Sequence, residues 1–272
     1  MTGAAIEAVL RRDRLIMAAA LALMTALAWA YVWWLVTDMD MGGMDMSGFR
    51  MIPAGRGWMM PSIAPWTATE FAFVFAMWAV MMIGMMMPSA TPMILIYARL
   101  GRQAAREGKP LPASAYFAAG YLVTWIGFAL AATMAQWAME RSHLLTPTME
   151  GASDIFSGAV LIAAGFYQWT PLKDICLRQC QAPWIFIERH GGFRSDIAGA
   201  LTLGIRHGGY CIGCCWVLMA LLFVGGVMNV LWIAAITILV LAEKLIPAGR
   251  TVSRMAGSAL LAGGLWLIAQ AL

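Results

Sequence analysis

Residues 71–96 read FAFVFAMWAVMMIGMMMPSATPMILI, an apolar stretch without a single charged side chain, and this stretch decides the fold. A helix needs about 20 apolar residues to cross the hydrocarbon core of a bilayer. Other stretches approach that length at residues 15–36, 114–139, 155–170, 197–227, 231–246 and 252–272. The sequence therefore predicts an all-α, polytopic membrane protein with about seven transmembrane helices.

The composition leads to the same class of protein. The chain of 272 residues is 62% hydrophobic and only 12% charged, which leaves too few charges to solvate a globular surface. Its basic residues occur in short clusters between apolar stretches, a topology signal and not a nucleic-acid footprint. This distribution predicts no nucleic-acid partner. No linker separates two halves of the chain, so residues 1–272 are predicted to form a single membrane domain.

Lysine and arginine concentrate in alternate loops, and this bias predicts the orientation. The basic residues that define it are Arg11, Arg12, Arg14, Arg99, Arg102, Arg106, Lys109, Lys173, Arg178, Arg189, Arg194, Lys244, Arg250 and Arg254. Cytoplasmic loops carry the excess, so the N-terminus is predicted to be cytoplasmic. Residues 37–66 then form an outer loop, and residues 171–196 form a cytoplasmic loop.

The outer loop is rich in methionine. Residues 38–46 read DMDMGGMDM, in which Asp38, Met39, Met41, Met44 and Met46 are candidate metal ligands. Thioethers favour Cu(I) and other soft ions, and the aspartates raise the local cation concentration. The alternative is an irregular loop that dips into the headgroup region with methionine as apolar filler.

A second group of methionines lies within residues 71–96. Met77, Met81 and Met85 are four residues apart and share one face of a helix, which Ser89 and Met93 extend. This methionine stripe predicts a row of weak sites for a soft ion, whereas the alternative is ordinary core packing. Pro88 and Pro92 are expected to bend or open the helix.

All five cysteines fall between residues 176 and 215, beside a histidine. Cys176, Cys180, Cys211, Cys214, Cys215 and His207 are the candidate ligands of this inner metal site. Thiolate is the metal-binding form of cysteine. The alternatives are core packing, a thiol redox pair, and, for His207, an interfacial position beside Arg206. Arg206, His207, Gly208 and Gly209 are expected to interrupt the fifth apolar stretch.

The remaining polar residues give weaker signals. Glu243 and Lys244 are predicted to be an interfacial pair, and Glu70 is predicted to cap a helix. The sequence contains no P-loop, no HExxH motif and no Ser/His/Asp arrangement. It therefore predicts a binding protein and no enzyme.

A family resemblance is carried by three runs: MWAVMMIGMMMPSATPMI at 77–94, AGFYQWTPLKDICLRQCQAP at 164–183, and GYCIGCCWVLMALLFVGGVMNVLW at 209–232. They resemble a bacterial family of predicted metal-binding integral membrane proteins of unknown function, a domain with a CxGCCW motif. The resemblance covers residues 71–244. It implies a metal, with motif positions at Met81, Met85, Cys176, Cys180, Cys211, Cys214 and Cys215.

These observations lead to one principal hypothesis. A multi-pass protein of a bacterial inner membrane captures a soft metal, Cu(I) first among them, at the outer loop and passes it to the inner cysteines. The predicted partners are the lipid bilayer and a cytoplasmic metal acceptor or a membrane copper enzyme. The alternatives are a non-transporting delivery or assembly factor for such an enzyme, and a membrane thiol redox protein.

Overall fold

The computed structural model describes residues 3–39, 48–55, 58–62, 64–106, 114–146, 148–192 and 196–272. The elements in these ranges are α1 (Gly3–Met39), β1 (Phe49–Met51), β2 (Met59–Pro61), α2 (Ala68–Arg106), α3 (Ser114–Arg141), α4 (Asp154–Gln168), α5 (Pro171–Gln181), α6 (Pro183–Arg189), α7 (Ile197–Ala220), α8 (Leu222–Gly225), α9 (Val230–Leu245) and α10 (Gly249–Ala271). The strands form one antiparallel pair, with Arg50 opposite Met60. The predicted all-α class is confirmed.

The helices are long and apolar enough for a polytopic membrane protein. Within the described residues five helices qualify as spans by length and composition, namely α1, α2, α3, α10 and α7 extended through α8. A sixth is counted if α4 and α5 form one span with a bend of 65°. The bend follows from sequence, because Pro171 starts α5 and the Thr170 side chain caps it by accepting from the amide of Lys173.

Helix α7 lies at the centre of the bundle and packs against α3, α4, α5 and α9. It is one continuous helix from Ile197 to Ala220, so the predicted interruption at residues 206–209 was wrong. The glycines serve close packing instead. A Cβ atom built on Gly204 would lie 2.1 Å from the Phe117 carbonyl oxygen, and one on Gly120 would lie 2.2 Å from that of Leu201. Small residues at these positions let α3 and α7 approach backbone to backbone.

Helix α2 stays helical through both of its prolines. Pro88 has no N–H to donate to the carbonyl of Gly84, which a helix normally satisfies four residues later. The indole nitrogen of Trp29 on α1 donates to that carbonyl at 3.2 Å. The predicted loss of a backbone donor is therefore compensated by a neighbouring helix, as the interior of a membrane protein requires.

A buried ion pair fastens the strand pair to the start of α2. Arg50 donates to both carboxylate oxygens of Glu70, at 2.5 and 2.8 Å, and to the backbone carbonyls of Pro61, Ser62 and Ala64. Glu70 also accepts from the amide of Thr67, whose hydroxyl accepts from the amide of Glu70. This reciprocal cap confirms the helix-capping role predicted for Glu70.

The loop segments at this end of the bundle contact one another. The Trp66 indole donates to Glu140 at 3.0 Å, and the amide of Val227 donates to the Met149 carbonyl at 3.3 Å. Residues 64–67, 142–146, 148–153 and 226–229 thus share one end, which we call the outer end after the charge-based prediction. The opposite, inner end carries α5, α6 and the start of α10.

The close crossing of α3 and α7 gives a test of the packing. Gly204→Ala places a methyl group against a backbone carbonyl that has no room to move, so we expect a loss of about 1–3 kcal/mol and a lower thermal unfolding midpoint in detergent. Gly127→Ala on α3 is the matched control, since no described atom lies within 4 Å of its added Cβ. The control should be neutral or slightly stabilising. Equal midpoints for the two variants would contradict this packing.

Candidate metal centre

The three runs that carry the family resemblance meet at one buried place in the structure. The first lies on α2, the second spans the bend from α4 to α5, and the third begins on α7. We call the thiols of Cys176, Cys180, Cys211, Cys214 and Cys215 the cysteine cluster. Four of its members are buried, and Cys180 is half-buried.

Helix α7 presents its polar groups along one face. His207, Cys211, Cys214 and Cys215 follow one another at helical spacings of four, three and one residues, and all are buried. The thiols of Cys214 and Cys215 both donate to the Cys211 carbonyl oxygen, at 3.1 and 2.9 Å. The α7 thiols are therefore grouped around one turn of the helix.

Helix α5 brings the other two cysteines to this turn. Cys176 packs against Gly213, where an added Cβ would lie 2.7 Å from the Cys176 sulfur. One turn further along α5, Cys180 lies near the thiols of Cys211 and Cys214. The Tyr167 hydroxyl at the end of α4 donates to the Gly213 carbonyl. The glycine of the CxGCCW motif thus permits the close approach of α5.

A buried lysine completes the arrangement. The Lys244 ammonium group donates to the Cys211 sulfur at 2.8 Å and to the Ser89 hydroxyl at 3.3 Å. The Tyr121 hydroxyl lies 3.1 Å from the same sulfur and donates to the Met86 carbonyl at 3.2 Å. Side chains of α2, α3, α7 and α9 therefore meet at Cys211. Among the thiols in the described residues, that of Cys211 alone accepts a hydrogen bond from an ammonium group.

His207 is buried beside the cysteine cluster. Its ring lies 5.2 Å from that of Phe186 and 5.8 Å from those of Phe117 and Tyr121, measured between centroids. Within the described part of the chain its Nδ1 atom has no hydrogen-bond partner. Burial excludes the interfacial position that the sequence left open. A buried nitrogen without a hydrogen-bond partner is costly. The Nδ1 atom is therefore available to coordinate a metal ion.

The methionine stripe is fully buried in the bundle core. Met77, Met81 and Met85 pack among the other core residues of α2. Ser89, the next member of the stripe, is the residue that Lys244 contacts beside Cys211. The stripe therefore leads toward the cysteine cluster at its inner end. The burial of these methionines is compatible with both alternatives, a row of weak binding sites for a soft ion and ordinary core packing.

The outer candidate ligands are only partly described. Asp38 and Met39 form the end of α1 and are half-buried. Met41, Met44 and Met46 lie outside the described residues. The metal-binding role of the outer loop stays a prediction from sequence.

Sequence reasoning missed a buried polar triad next to the cysteine cluster. Lys173 is fully buried and donates to both oxygens of Glu243, at 2.9 and 2.8 Å. Gln168 donates to Glu243 at 3.0 Å and accepts from Lys173. The predicted interfacial pair of Glu243 and Lys244 was wrong, because each residue is buried and bonded to a different helix. The signal was available, since an ionisable residue within an apolar span indicates a specific internal partner.

The thiols lie near one another but are not arranged as a ready-made metal site. In the described ranges, no three or more His, Cys, Asp or Glu side chains form a group placed to hold a metal ion. The reason is visible in the hydrogen bonds. Cys214 and Cys215 point at a backbone carbonyl, and Cys211 points at Lys244 and Tyr121. Joint coordination by these thiols requires rotation of their side chains.

Fold and site together define an all-α, multi-helix membrane protein with a buried thiol cluster in its inner half. Comparison with protein families then gives a match over residues 75–267, about 70% of the chain, to the family described as PpoB2, copper chaperone. The chain belongs to this family. The match confirms the predicted membership of a metal-related family and connects the chain with copper. Searches of curated proteins and of solved structures found no match.

The triad gives a test of how α5 is held in place. Glu243→Gln leaves the fully buried ammonium of Lys173 without a counter-charge, so we expect a loss of about 3–5 kcal/mol, seen as a lower thermal unfolding midpoint. Removing both charges in Lys173→Met/Glu243→Leu should recover most of the loss. Arg250→Gln is the control, because Arg250 is about half exposed and its partner Asp174 keeps some contact with solvent, unlike the fully buried pair; the expected cost is about 1 kcal/mol. A double variant no more stable than Glu243→Gln would contradict the pairing.

Proposed function

We propose that this protein binds Cu(I) at the cysteine cluster and delivers it to an acceptor protein. The observation that carries the proposal is that Cys180 of α5 lies near Cys211 and Cys214 of α7, beside the ammonium group of Lys244. Thiolates are soft ligands that favour Cu(I) over harder ions. The copper chaperone family supports the identity of the metal.

Charge balance supports a thiolate site at this depth. One Cu(I) ion held by two thiolates carries a net charge of −1, and an uncompensated charge in a buried site is costly. Lys244 lies 2.8 Å from the Cys211 sulfur and supplies the opposite charge. Two thiolates, one ammonium group and one Cu(I) ion together have no net charge, which suits a buried site. A divalent ion in the same place would leave a net positive charge.

Delivery requires a ligand that an acceptor can reach. Cys211, Cys214 and Cys215 are buried, whereas Cys180 on the short helix α5 is half-buried. Transfer between thiol sites proceeds by exchange of one ligand at a time, and Cys180 is the member of the cysteine cluster best placed to be exchanged. In this proposal the acceptor is a cytoplasmic metal-binding protein or a copper enzyme of the same bacterial membrane.

The cysteine variants test the metal site directly. We expect about one Cu(I) per wild-type chain purified without a metal-binding affinity tag, since thiolates retain Cu(I). Cys211→Ser/Cys214→Ser/Cys215→Ser should retain less than a tenth of that copper, measured by elemental analysis and by competition with a chromogenic Cu(I) chelator. Cys180→Ala should bind copper but transfer it more slowly to a thiol acceptor.

Two results would overturn the assignment. The first is equal copper in wild-type protein and triple variant, with Met255→Leu as the control for loss of an exposed sulfur on α10. The second is a metal-free wild-type protein from which a mixed disulfide at Cys176 or Cys214 can be trapped, because that outcome favours thiol redox chemistry. Size-exclusion profiles of each variant report whether the protein has folded.

A second candidate function is translocation of the ion from the outer end to the cysteine cluster. One observation favours it: the methionine stripe of α2 continues to Ser89, which shares the Lys244 ammonium group with Cys211. Thioethers bind Cu(I) without deprotonation and release it to stronger thiolates. In this form of the proposal the outer loop of residues 37–66 captures the ion, and the cytoplasmic acceptor draws it downhill.

Flux through sealed vesicles separates translocation from delivery alone. Met77→Leu/Met81→Leu/Met85→Leu preserves side-chain size and removes the sulfur atoms. If the stripe conducts, Cu(I) flux should fall by at least about tenfold while copper bound at the cysteine cluster is unchanged. Met134→Leu/Met255→Leu, at two exposed methionines, is the matched control. Bound copper without any flux in the wild-type protein would restrict the function to delivery.

A further inference from the structure

A cleft between α5 and α6 lies at the inner end, on the surface away from α7. Its volume is about 350 Å³, and its lining includes Ile175, Arg178, Gln179, Gln181, Ile185 and Arg189. Among the residues that the structure describes, no acidic side chain lines it. The cleft is thus positively charged and partly apolar.

The two arginines are available to a ligand. Arg178 and Arg189 are both exposed, and among the described residues neither has a carboxylate within ion-pair distance. Nearby cations differ in this respect, since Lys173 is paired with Glu243 and Arg250 with Asp174. Guanidinium groups bind phosphate through paired hydrogen bonds. Two of them on one cleft indicate a phosphate ligand.

The rim of the cleft is apolar and exposed. Ile175 and Ile185 are 57% and 49% exposed, and Leu172 and Trp184 beside them are 57% and 54% exposed. Exposed isoleucine and tryptophan on short helices next to arginine are typical of a segment that lies in the headgroup region of a membrane. The cleft therefore opens where phospholipid headgroups are located.

One buried polar atom in the lining needs a donor. Gln179 is 6% exposed, and its Oε1 atom is buried without a hydrogen-bond partner in the described part of the chain. An amide oxygen accepts hydrogen bonds only. The oxygen has almost no accessible surface, so the Gln179 side chain must turn toward the cleft to meet a ligand. A ligand that combines a phosphate with a hydroxyl group would then satisfy both the arginines and this oxygen.

We propose that the α5–α6 cleft binds the headgroup of phosphatidylglycerol. The phosphate pairs with Arg178 and Arg189, the glycerol hydroxyls donate to Gln179, and the acyl chains extend along Ile175 and Ile185. The charge selects an anionic lipid, the unpartnered oxygen selects a headgroup with hydroxyls, and the apolar rim selects a lipid over a soluble phosphate ester. This site is separate from the cysteine cluster and does not depend on copper.

Lipid binding to the purified full chain in detergent tests the site. Native mass spectrometry with phosphatidylglycerol, phosphatidylmethanol and phosphatidylcholine compares an anionic hydroxyl lipid, an anionic lipid without hydroxyls and a zwitterionic lipid. We expect the wild-type protein to prefer them in that order. Arg178→Gln/Arg189→Gln should weaken phosphatidylglycerol binding by about tenfold or more. Gln179→Leu should remove the preference for phosphatidylglycerol over phosphatidylmethanol and keep the preference of both over phosphatidylcholine.

Controls make the result specific to the cleft. Arg99→Gln/Arg102→Gln removes two arginines from the inner end of α2 and should leave lipid binding unchanged. The thermal unfolding midpoint without added lipid reports that each variant is folded. The proposal is overturned if Arg178→Gln/Arg189→Gln binds phosphatidylglycerol as the wild-type protein does. It is also overturned if glycerol phosphate, which has no acyl chains, binds as tightly as phosphatidylglycerol. A third contrary result is that Arg178→Gln/Arg189→Gln loses a co-purifying protein and still binds the lipid.

Discussion

The contact between the Lys244 ammonium group and the Cys211 sulfur is the constraint on which the inner half of this protein depends. An ammonium group taken out of water is costly unless an anion or several acceptors surround it. Here the acceptors come from different helices, because Cys211 is on α7 and Ser89 is on α2. Satisfying this one charge therefore fixes α2, α7 and α9 relative to one another.

The neighbouring residue on α9 extends the same principle. Successive residues on a helix point about 100° apart, so Glu243 and Lys244 face different neighbours. Glu243 accepts from Lys173 on α5 and from Gln168 on α4, while Lys244 faces α7 and α2. One turn of α9 thereby joins all the helices that carry the family motifs. The cysteine cluster is positioned by buried charges more than by the thiols themselves.

The sequence predicted the class of fold because apolar length is a local property. The seven apolar stretches all correspond to helices. Packing was less predictable. Gly208 and Gly209 suggested a break in α7, yet Gly208 contacts Thr124 of α3 and the helix continues. Pro88 and Pro92 suggested an opening in α2, yet the helix continues, and Trp29 supplies the donor that Pro88 lacks. In both cases a residue distant in sequence decides the outcome.

The same distinction applies to the site. The sequence predicted that the five cysteines form one site, and in the structure Cys180 on α5 lies near Cys211 and Cys214 on α7. The partners Lys244, Tyr121 and Lys173 were not predicted, because their roles depend on tertiary contacts between α3, α5, α7 and α9.

In the proposed delivery of Cu(I), the hydrogen bonds of the thiols also bear on how the ion is released. Cys214 and Cys215 donate to the Cys211 carbonyl, and Cys211 lies against Lys244 and Tyr121. Joint binding of Cu(I) by these sulfurs requires Cys214 and Cys215 to give up their hydrogen bonds to the carbonyl, so this rearrangement offsets part of the metal–sulfur energy and the net affinity is lower. The same bonds form again when the ion leaves, which stabilises the metal-free protein and favours transfer to an acceptor. A site that holds copper only until a better ligand arrives needs a stable arrangement without copper, and these contacts provide one.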